Sequence, residues 1–228
     1  MRATHFCDAC GKVQPPRPSD YFAFFGLSRK LNLDTSQLER EFYNLSRKLH
    51  PDVYARMDAQ EQSWSLEQSS RLNDAYRTLR DPVKRTEYML RLEGVELEEQ
   101  SKSATEAARQ TGQVKEQVVP AELLEEVFEL NMQLEELKAQ HKLGEDDPAL
   151  LEEIGKQKMS FQDMLERCTG ELQKLWDEWD AAAANGDGVK REQVRDEMVS
   201  LLNRRNYIRN LVRDIGDVLQ GGPEGTHS

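Results

Sequence analysis

Three consecutive residues, His50-Pro51-Asp52, place an imidazole, a rigid proline ring and a carboxylate between two predicted helices. Proline fixes the local backbone, and the neighbouring carboxylate can accept charge-assisted hydrogen bonds from an arginine on a partner. The remaining histidines, at positions 5, 141 and 227, have no carboxylate or cysteine partner at a catalytic spacing. The tripeptide therefore indicates a stiff recognition loop in a protein that is not an enzyme. An ordinary helix stop followed by a polar turn is the alternative.

A second group of residues with chemical potential is the pair Cys7 and Cys10, followed by Gly11. This spacing is typical of a zinc or iron knuckle, but a closed structural site needs four ligands, and His5 is a candidate only for the third. Two chains sharing one metal would give a homodimer through this segment. A vestigial pair and a redox pair remain as alternatives, although a redox motif normally lies in a βαβ context. Cys168 falls in an apolar helical register and is expected to be buried.

The composition favours elongated helical bundles over thick α/β enzymes, because 37% of the 228 residues are hydrophobic and 32% are charged. The net charge of −11 argues against nucleic acid as a general partner. Residues 1–93 hold 15 basic and 13 acidic side chains, against 16 and 29 in residues 94–228, which indicates two modules with different partners. No apolar run approaches the ~20 residues of a membrane span, so no membrane association is expected. Without a recognisable signal peptide, the expected location is the cytoplasm, or the mitochondrial matrix for a processed eukaryotic form.

Hydrophobic periodicity predicts an all-α chain. Leu38, Phe42, Leu45 and Leu49 form one stripe of an amphipathic helix, which Pro51 ends. Further helices are predicted from Asp20 to Phe25, from Glu61 to Arg80 and from Val83 to Glu93. The predicted organisation is an irregular cysteine-containing segment at 1–18, a first domain at 19–94, a linker at 95–119, a second domain at 120–220 and a flexible tail at 221–228.

The second domain shows three apolar seams with a period near 3.5 residues, joined by short turns, which predicts an antiparallel three-helix bundle. Gly144 and Pro148 bound the first turn, and Asn185-Gly186-Asp187-Gly188 forms the second. Among the residues assigned to the seams are Leu175 on the second helix and Leu201 on the third.

Several short motifs together resemble the HscB family, the J-domain co-chaperones of iron–sulfur cluster biogenesis. They are Asp20-Tyr21-Phe22, Phe25-Gly26-Leu27, Leu33-Asp34, His50-Pro51-Asp52, the run from Asn73 to Leu79, Asp81-Pro82, and Arg85-Thr86-Glu87-Tyr88-Met89-Leu90 with Gly94. The resemblance implies an N-terminal J-domain, in which a helical hairpin exposes the HPD loop, and a C-terminal three-helix bundle. It also implies a co-chaperone that stimulates the ATPase of a DnaK/HscA-type chaperone and delivers an IscU-type scaffold protein to it. Some family members carry two cysteine pairs before the Asp-Tyr-Phe start.

The resemblance assigns chaperone binding to His50, Pro51 and Asp52 and to a basic patch on the preceding helix. That patch consists of Arg40, Arg47 and Lys48, with an ordinary solvated face as the alternative. Glu39 and Asn44 stand where many general J-domains are basic, which weakens electrostatic docking and points either to a specialised chaperone or to weak binding. A general J-domain protein for unfolded clients, or a metal or redox protein acting through Cys7 and Cys10, are the rival functions.

The helix that begins near Pro120 carries a second apolar row beside its seam, formed by Leu124, Phe128 and Met132. Such a row suits a partner surface. The resemblance assigns client binding to Leu124, Phe128, Glu129 and Glu136, with Leu201 beside them, and the spacing of the row adds Met132 to the predicted client surface. Glu125 departs from the family, which often has a methionine there. The alternative is a wide apolar helix face that belongs to the core.

Overall fold

The computed structural model describes residues 5–95, 120–145 and 147–220, and these form helices and connecting turns with one isolated bridge between Phe6 and Val13. The helices are α1 (Tyr21–Phe24), α2 (Thr35–Leu49), α3 (Pro51–Tyr54), α4 (Ala59–Arg80), α5 (Pro82–Leu92), a 3₁₀ turn (Ala121–Leu123), α6 (Leu124–Leu143), α7 (Pro148–Asn185) and α8 (Gly188–Leu219). The all-α fold class is thus confirmed. Apart from Val95, the predicted linker lies outside the described residues, as does the predicted tail at 221–228.

The chain divides into two compact units. The first comprises Met1–Glu96 with Gln173–Arg195, and the second comprises Leu97–Leu172 with Asp196–Ser228. The apolar seams predict one bundle over residues 120–220, whereas packing places the end of α7 and the beginning of α8 with the N-terminal helices. In the described parts of the chain, no helix combines the length and apolar character needed to span a bilayer.

The cysteine-containing segment is more ordered than the predicted irregular chain. The Cys7 amide donates to the Lys12 carbonyl at 2.8 Å, and the Gln14 amide donates to the His5 carbonyl at 2.9 Å, which closes a small hairpin. Val13 is fully buried, and the side-chain amide of Gln68 on α4 donates to the Gln14 carbonyl at 2.6 Å. The segment is ordered because it buries the Val13 side chain and because its backbone polar groups form hydrogen bonds. The proline-rich composition alone does not predict this order.

Aspartate residues fix where the helices of the first unit begin. Asp34 accepts hydrogen bonds from the amides of Ser36 and Gln37 at the start of α2, and Asp58 accepts from the Glu61 amide at the start of α4. Asp81 caps α5, whose first residue is Pro82. The apolar faces of the helices in the first unit are buried. The fully buried side chains include Phe22, Leu31, Leu38, Leu49, Leu72, Leu79, Met89 and Leu90.

Trp176, not the predicted Leu175, is the buried residue at the point where α7 joins the first unit. Its indole N–H donates to Thr86 Oγ1 on α5 at 2.9 Å. Asp180, one turn further along α7, accepts from the backbone amides of Leu31 and Asn32, each at 2.9 Å. These contacts hold the loop between α1 and α2 against α7.

The second unit has its own core, to which α6, α7 and α8 all contribute. The buried residues are Leu123, Val127, Leu130, Leu134, Leu137, Leu150, Ile154, Phe161, Cys168, Tyr207, Ile208, Leu211 and Ile215. Cys168 is buried as predicted. The predicted seam position Leu201 is only partly buried against this core, and its neighbour Leu202 is fully buried, so the predicted register is shifted by one residue there.

Candidate functional site

The HPD tripeptide forms a tight turn between two helices. His50 ends α2 and caps α3, and its Nδ1 lies 3.3 Å from the Asp52 amide, from which it accepts a hydrogen bond. Pro51 occupies the first position of α3, where its missing N–H costs no helical hydrogen bond. The side chains of His50 and Asp52 are 55% and 91% exposed. The turn therefore presents to solvent an imidazole and a largely exposed carboxylate, with His50 Nδ1 and Asp52 Oδ2 3.5 Å apart.

Buried groups beneath the turn hold it in place. Leu49, immediately before His50, is fully buried, and its carbonyl accepts from the hydroxyls of Ser65 and Ser69 on α4, each at 2.7 Å. The Tyr54 hydroxyl donates to the Lys48 carbonyl at 3.1 Å, and burial raises the pKa of that phenol. The backbone on both sides of the tripeptide is thus tied to the helical hairpin, while the tripeptide itself stays accessible.

The predicted basic residues Arg40, Arg47 and Lys48 are all exposed on α2. Arg40 and Arg47, seven residues apart, share the helix face that leads to His50, and Lys48 lies about 100° around the helix from Arg47. Arg40 lies 3.9 Å from the Asp34 carboxylate at the start of the helix. Tyr43 is exposed between the two arginines and is not among the predicted site residues, although its spacing from both arginines places it on the same helix face.

The predicted client row on α6 is exposed. Leu124, Phe128 and Met132 are 54%, 69% and 60% exposed, so the alternative that they belong to the core is wrong. The buried positions of α6 are instead Val127, Leu130, Leu134 and Leu137, and Leu123 is buried in the 3₁₀ turn before the helix. Leu143 near the end of the helix is exposed as well, and it was not predicted as part of a surface.

Acidic side chains surround this row. Glu129 and Glu136 are exposed, as are Glu125, Glu126 and Glu135 on the same helix. Lys138 lies 2.6 Å from Glu135, and its ammonium lowers the pKa of that carboxyl. Leu201, also predicted to bind client, is partly buried against the core and is not part of the exposed row. The surface combines apolar side chains with an acidic border.

The cysteine pair has the backbone geometry of a knuckle. Gly11 has a φ of 71°, in the left-handed region that favours glycine, and its amide donates to the Cys7 carbonyl at 2.8 Å. The backbone amides of Ala9 and Cys10 lower the pKa of Cys7, which favours the thiolate. The turn is therefore suited to hold two thiolates around one cation.

His5 does not serve as a third ligand in this structure. Its Nδ1 lies 2.6 Å from Gln68 Oε1 and its Nε2 lies 2.8 Å from the Phe24 carbonyl, so both ring nitrogens are occupied in the core. Within 5–95, 120–145 and 147–220, no three or more His, Cys, Asp or Glu side chains form a group able to hold a metal ion. Cys7 and Cys10 would supply two of the four ligands that a closed site needs.

Comparison with known proteins gives the same assignment for the first unit. A family model described as the DnaJ domain matches residues 20–88. The iron–sulfur cluster co-chaperone protein HscB of Mus musculus is 37% identical over 95 residues, which is 41% of this chain and 41% of the relative. The Homo sapiens protein is 36% identical over 97 residues, 42% of this chain and 41% of the relative. The HscB homolog of Arabidopsis thaliana is 36% identical over 96 residues, 42% of this chain and 38% of the relative. The matched stretch thus spans about two fifths of each relative.

The likeness in fold extends further along the chain. The crystal structure of the human co-chaperone protein HscB superposes with a TM-score of 0.61 at 24% identity, covering 95% of this chain and 90% of that one. The chaperone HscB from Vibrio cholerae gives a TM-score of 0.55 at 22% identity, covering 89% of this chain and 98% of that one. At these identities the likeness establishes the shared fold of both units.

Proposed function

We propose that the chain, whose residues 20–88 match the DnaJ domain, is a co-chaperone of the HscB type that acts in iron–sulfur cluster assembly. In this role it stimulates the ATPase of a DnaK/HscA-type chaperone and delivers an IscU-type scaffold protein to it. The observation that supports the proposal most directly is the exposed His50-Pro51-Asp52 turn at the end of the α2–α4 hairpin.

In the proposed action, no side chain of this protein enters the chemistry of ATP hydrolysis. The HPD turn binds one conformation of the chaperone better than the other and thereby shifts the population towards hydrolysis. The Asp52 carboxylate, which is 91% exposed, can accept charge-assisted hydrogen bonds from an arginine of the chaperone. The buried supports of the turn hold the backbone on either side of the tripeptide before binding, which lowers the entropy cost of association.

The exposed row on α6 is the proposed client surface. Leu124, Phe128 and Met132 would insert into an apolar depression, while Glu129 and Glu136 would face basic residues around it. A surface of this kind favours a folded scaffold with a matching patch over unfolded chains in general, because the acidic border adds specificity.

The ATPase activity of a DnaK-type chaperone, measured with and without this protein and with and without an IscU-type scaffold, tests the proposal. We expect stimulation by the protein alone and a larger stimulation when the scaffold is added. A pull-down with the scaffold and with an unfolded model client separates this role from that of a general J-domain protein. Equal retention of both clients would favour the general role, and absence of stimulation would reject the co-chaperone role altogether.

We also propose that the knuckle formed by Cys7 and Cys10 binds zinc or iron, with the other two ligands supplied by a second copy of the chain. The knuckle backbone and the lowered pKa of Cys7 support this, and the two available thiols make it half a site. Metal content and oligomeric state of anaerobically prepared protein should both change in a Cys7→Ser, Cys10→Ser variant. A monomer without metal would reject the proposal without affecting the co-chaperone role.

We place this activity in the cytoplasm, with the mitochondrial matrix as the alternative. The three cysteines of the chain are free thiols, which is compatible with a reducing compartment.

A further inference from the structure

An aromatic ladder crosses from α2 to α4 on the hairpin that carries the HPD turn. The ring of Tyr43 meets the edge of Phe42 at a centroid distance of 5.5 Å, and Phe42 stacks on Tyr76 at 4.1 Å. The Arg80 guanidinium lies over the Tyr76 ring at 5.7 Å from its centroid. We call these four residues the aromatic ladder.

The members of the ladder differ in what they do for the fold. Phe42 and Tyr76 are half-buried and pack α2 against α4, so their stacking is explained by the stability of the hairpin. Tyr43 is the outermost ring and is 57% exposed. Since more than half of this residue is open to solvent, the packing of the hairpin does not by itself explain a tyrosine at this position.

The charges around Tyr43 indicate what kind of surface would cover it. Arg40 precedes it by three residues and Arg47 follows it by four, so both flank Tyr43 on the same helix face. The Arg47 Nε donates to the Tyr43 carbonyl at 3.3 Å. Glu39 is also exposed on this helix, and its carboxylate accepts from the Tyr76 hydroxyl at 3.5 Å. A tyrosine between arginines is the composition that dominates binding energy at protein interfaces.

The same helix face continues to the HPD turn. His50 lies seven residues after Tyr43, which corresponds to about two helical turns and a rise of about 10 Å. A partner that touches His50 along the axis of α2 therefore also reaches Tyr43. This continuity selects the chaperone as the occupant, because the client surface belongs to the other unit.

We propose that Tyr43 is the apolar anchor of the chaperone-docking face and determines which DnaK-type chaperone this protein serves. The partner surface that fits carries carboxylates, which face Arg40 and Arg47, around an apolar depression that takes the tyrosine ring. The inference rests on the proposed co-chaperone function and adds a specificity-determining residue to it. It also accounts for the weak basic character of α2, since burial of an aromatic ring replaces part of the ionic attraction.

The test is a titration of a DnaK-type chaperone that the unmodified protein stimulates, with ATPase rate as the readout. Tyr43→Ala should raise the concentration for half-maximal stimulation by about fivefold to tenfold, as expected for loss of a hot-spot side chain. The maximal rate should remain the same, because the HPD turn is intact. Tyr43→Phe, which keeps the ring, should behave like the unmodified protein. Val189→Ala, an exposed apolar residue outside the α2–α4 hairpin, is the matched control and should change nothing.

The outcomes separate this inference from the function on which it rests. If the unmodified protein gives no stimulation, the proposed function fails, whatever Tyr43 does. If it stimulates, His50→Gln does not, and Tyr43→Ala titrates like the unmodified protein, only the anchor role of Tyr43 is rejected. The anchor role would also be rejected if Tyr43→Ala abolished self-association of the protein but left the concentration for half-maximal ATPase stimulation unchanged. Tyr43 would then bind a second copy of the chain and not the chaperone.

Discussion

The guanidinium of Arg85 lies over the indole of Trp176, 4.4 Å from the ring centroid, although the two residues belong to helices far apart in the sequence. Arg85 is buried, and one of its terminal nitrogens donates to the Leu79 carbonyl at 2.6 Å. Burial lowers the pKa of this arginine, against the opposing effects of Asp81 and Asp180. A desolvated cation–π pair of this kind contributes about 2 kcal/mol. The contact therefore ties α5 firmly to α7.

Trp176→Phe should destabilise the first unit by roughly 1–3 kcal/mol, because it removes the indole N–H that donates to Thr86 and weakens the attraction for Arg85. Urea unfolding followed by circular dichroism measures this change. Val189→Ala, an exposed residue in the same unit, should stay within about 0.5 kcal/mol of the unmodified protein. An unchanged free energy of unfolding in Trp176→Phe would mean that the contact does not stabilise the fold.

His50→Gln should abolish stimulation of the chaperone ATPase without affecting the fold. The imidazole is more than half exposed, so its replacement removes no core packing. Asp52→Asn should have the same effect, because the neutral amide cannot form an ionic hydrogen bond with an arginine of the chaperone. Thermal unfolding is the control for both variants. Full stimulation by a folded His50→Gln protein would contradict the assigned role of the turn.

The helices were predictable because their signals are local. Asp34, Asp81 and Pro82 mark helix starts within a few residues of the observed bounds, and apolar periodicity gave the inward faces. The buried residue at this part of α7 was predicted to be Leu175, but it is the neighbouring Trp176. This prediction was wrong because it depends on a contact that is not local in the sequence. Hydrophobic periodicity locates the apolar face of α7 only approximately. The exact rotation of α7 about its axis depends on its contact with α5, where the Trp176 indole donates to Thr86, and Thr86 is distant in the sequence.

The same difference between local and non-local signals applies to the candidate surfaces. The HPD turn is contiguous, so its composition could be recognised directly, and the row on α6 follows one helix face. The aromatic ladder combines Phe42 and Tyr43 of α2 with Tyr76 and Arg80 of α4, and no spacing rule connects the two helices. Only the packing of the hairpin brings these side chains together.

Leu124→Ala combined with Phe128→Ala should weaken binding of an IscU-type scaffold by more than about 1 kcal/mol and leave the free energy of unfolding nearly unchanged. Both side chains are exposed, so the loss should fall on binding alone. Calorimetric titration and urea unfolding measure the two effects. Leu143→Ala, exposed at the other end of α6, should leave the affinity unchanged, and the fully buried Leu130→Ala should cost about 2–5 kcal/mol of stability.

The environment of Asp20 predicts how the free energy of unfolding changes at acidic pH. Its carboxylate caps α1 by accepting from the Ala23 amide at 2.8 Å, and it pairs with Arg29, whose nearest nitrogen is 2.7 Å away. Burial by itself would raise the pKa of Asp20, but the amide hydrogen bond and the guanidinium outweigh burial and hold that pKa below its usual value.

A carboxyl with a folded-state pKa below its unfolded value stabilises the protein above the unfolded pKa, and the contribution disappears as the pH falls through the folded value. Asp20→Asn should therefore be less stable than the unmodified protein near pH 7, and the difference should shrink towards about pH 3. Urea unfolding at a series of pH values measures this difference, with the exposed Asp74→Asn on α4 as the charge-matched control. A difference between Asp20→Asn and the unmodified protein that stayed constant across the acid range would show that the carboxylate charge has no part in capping α1.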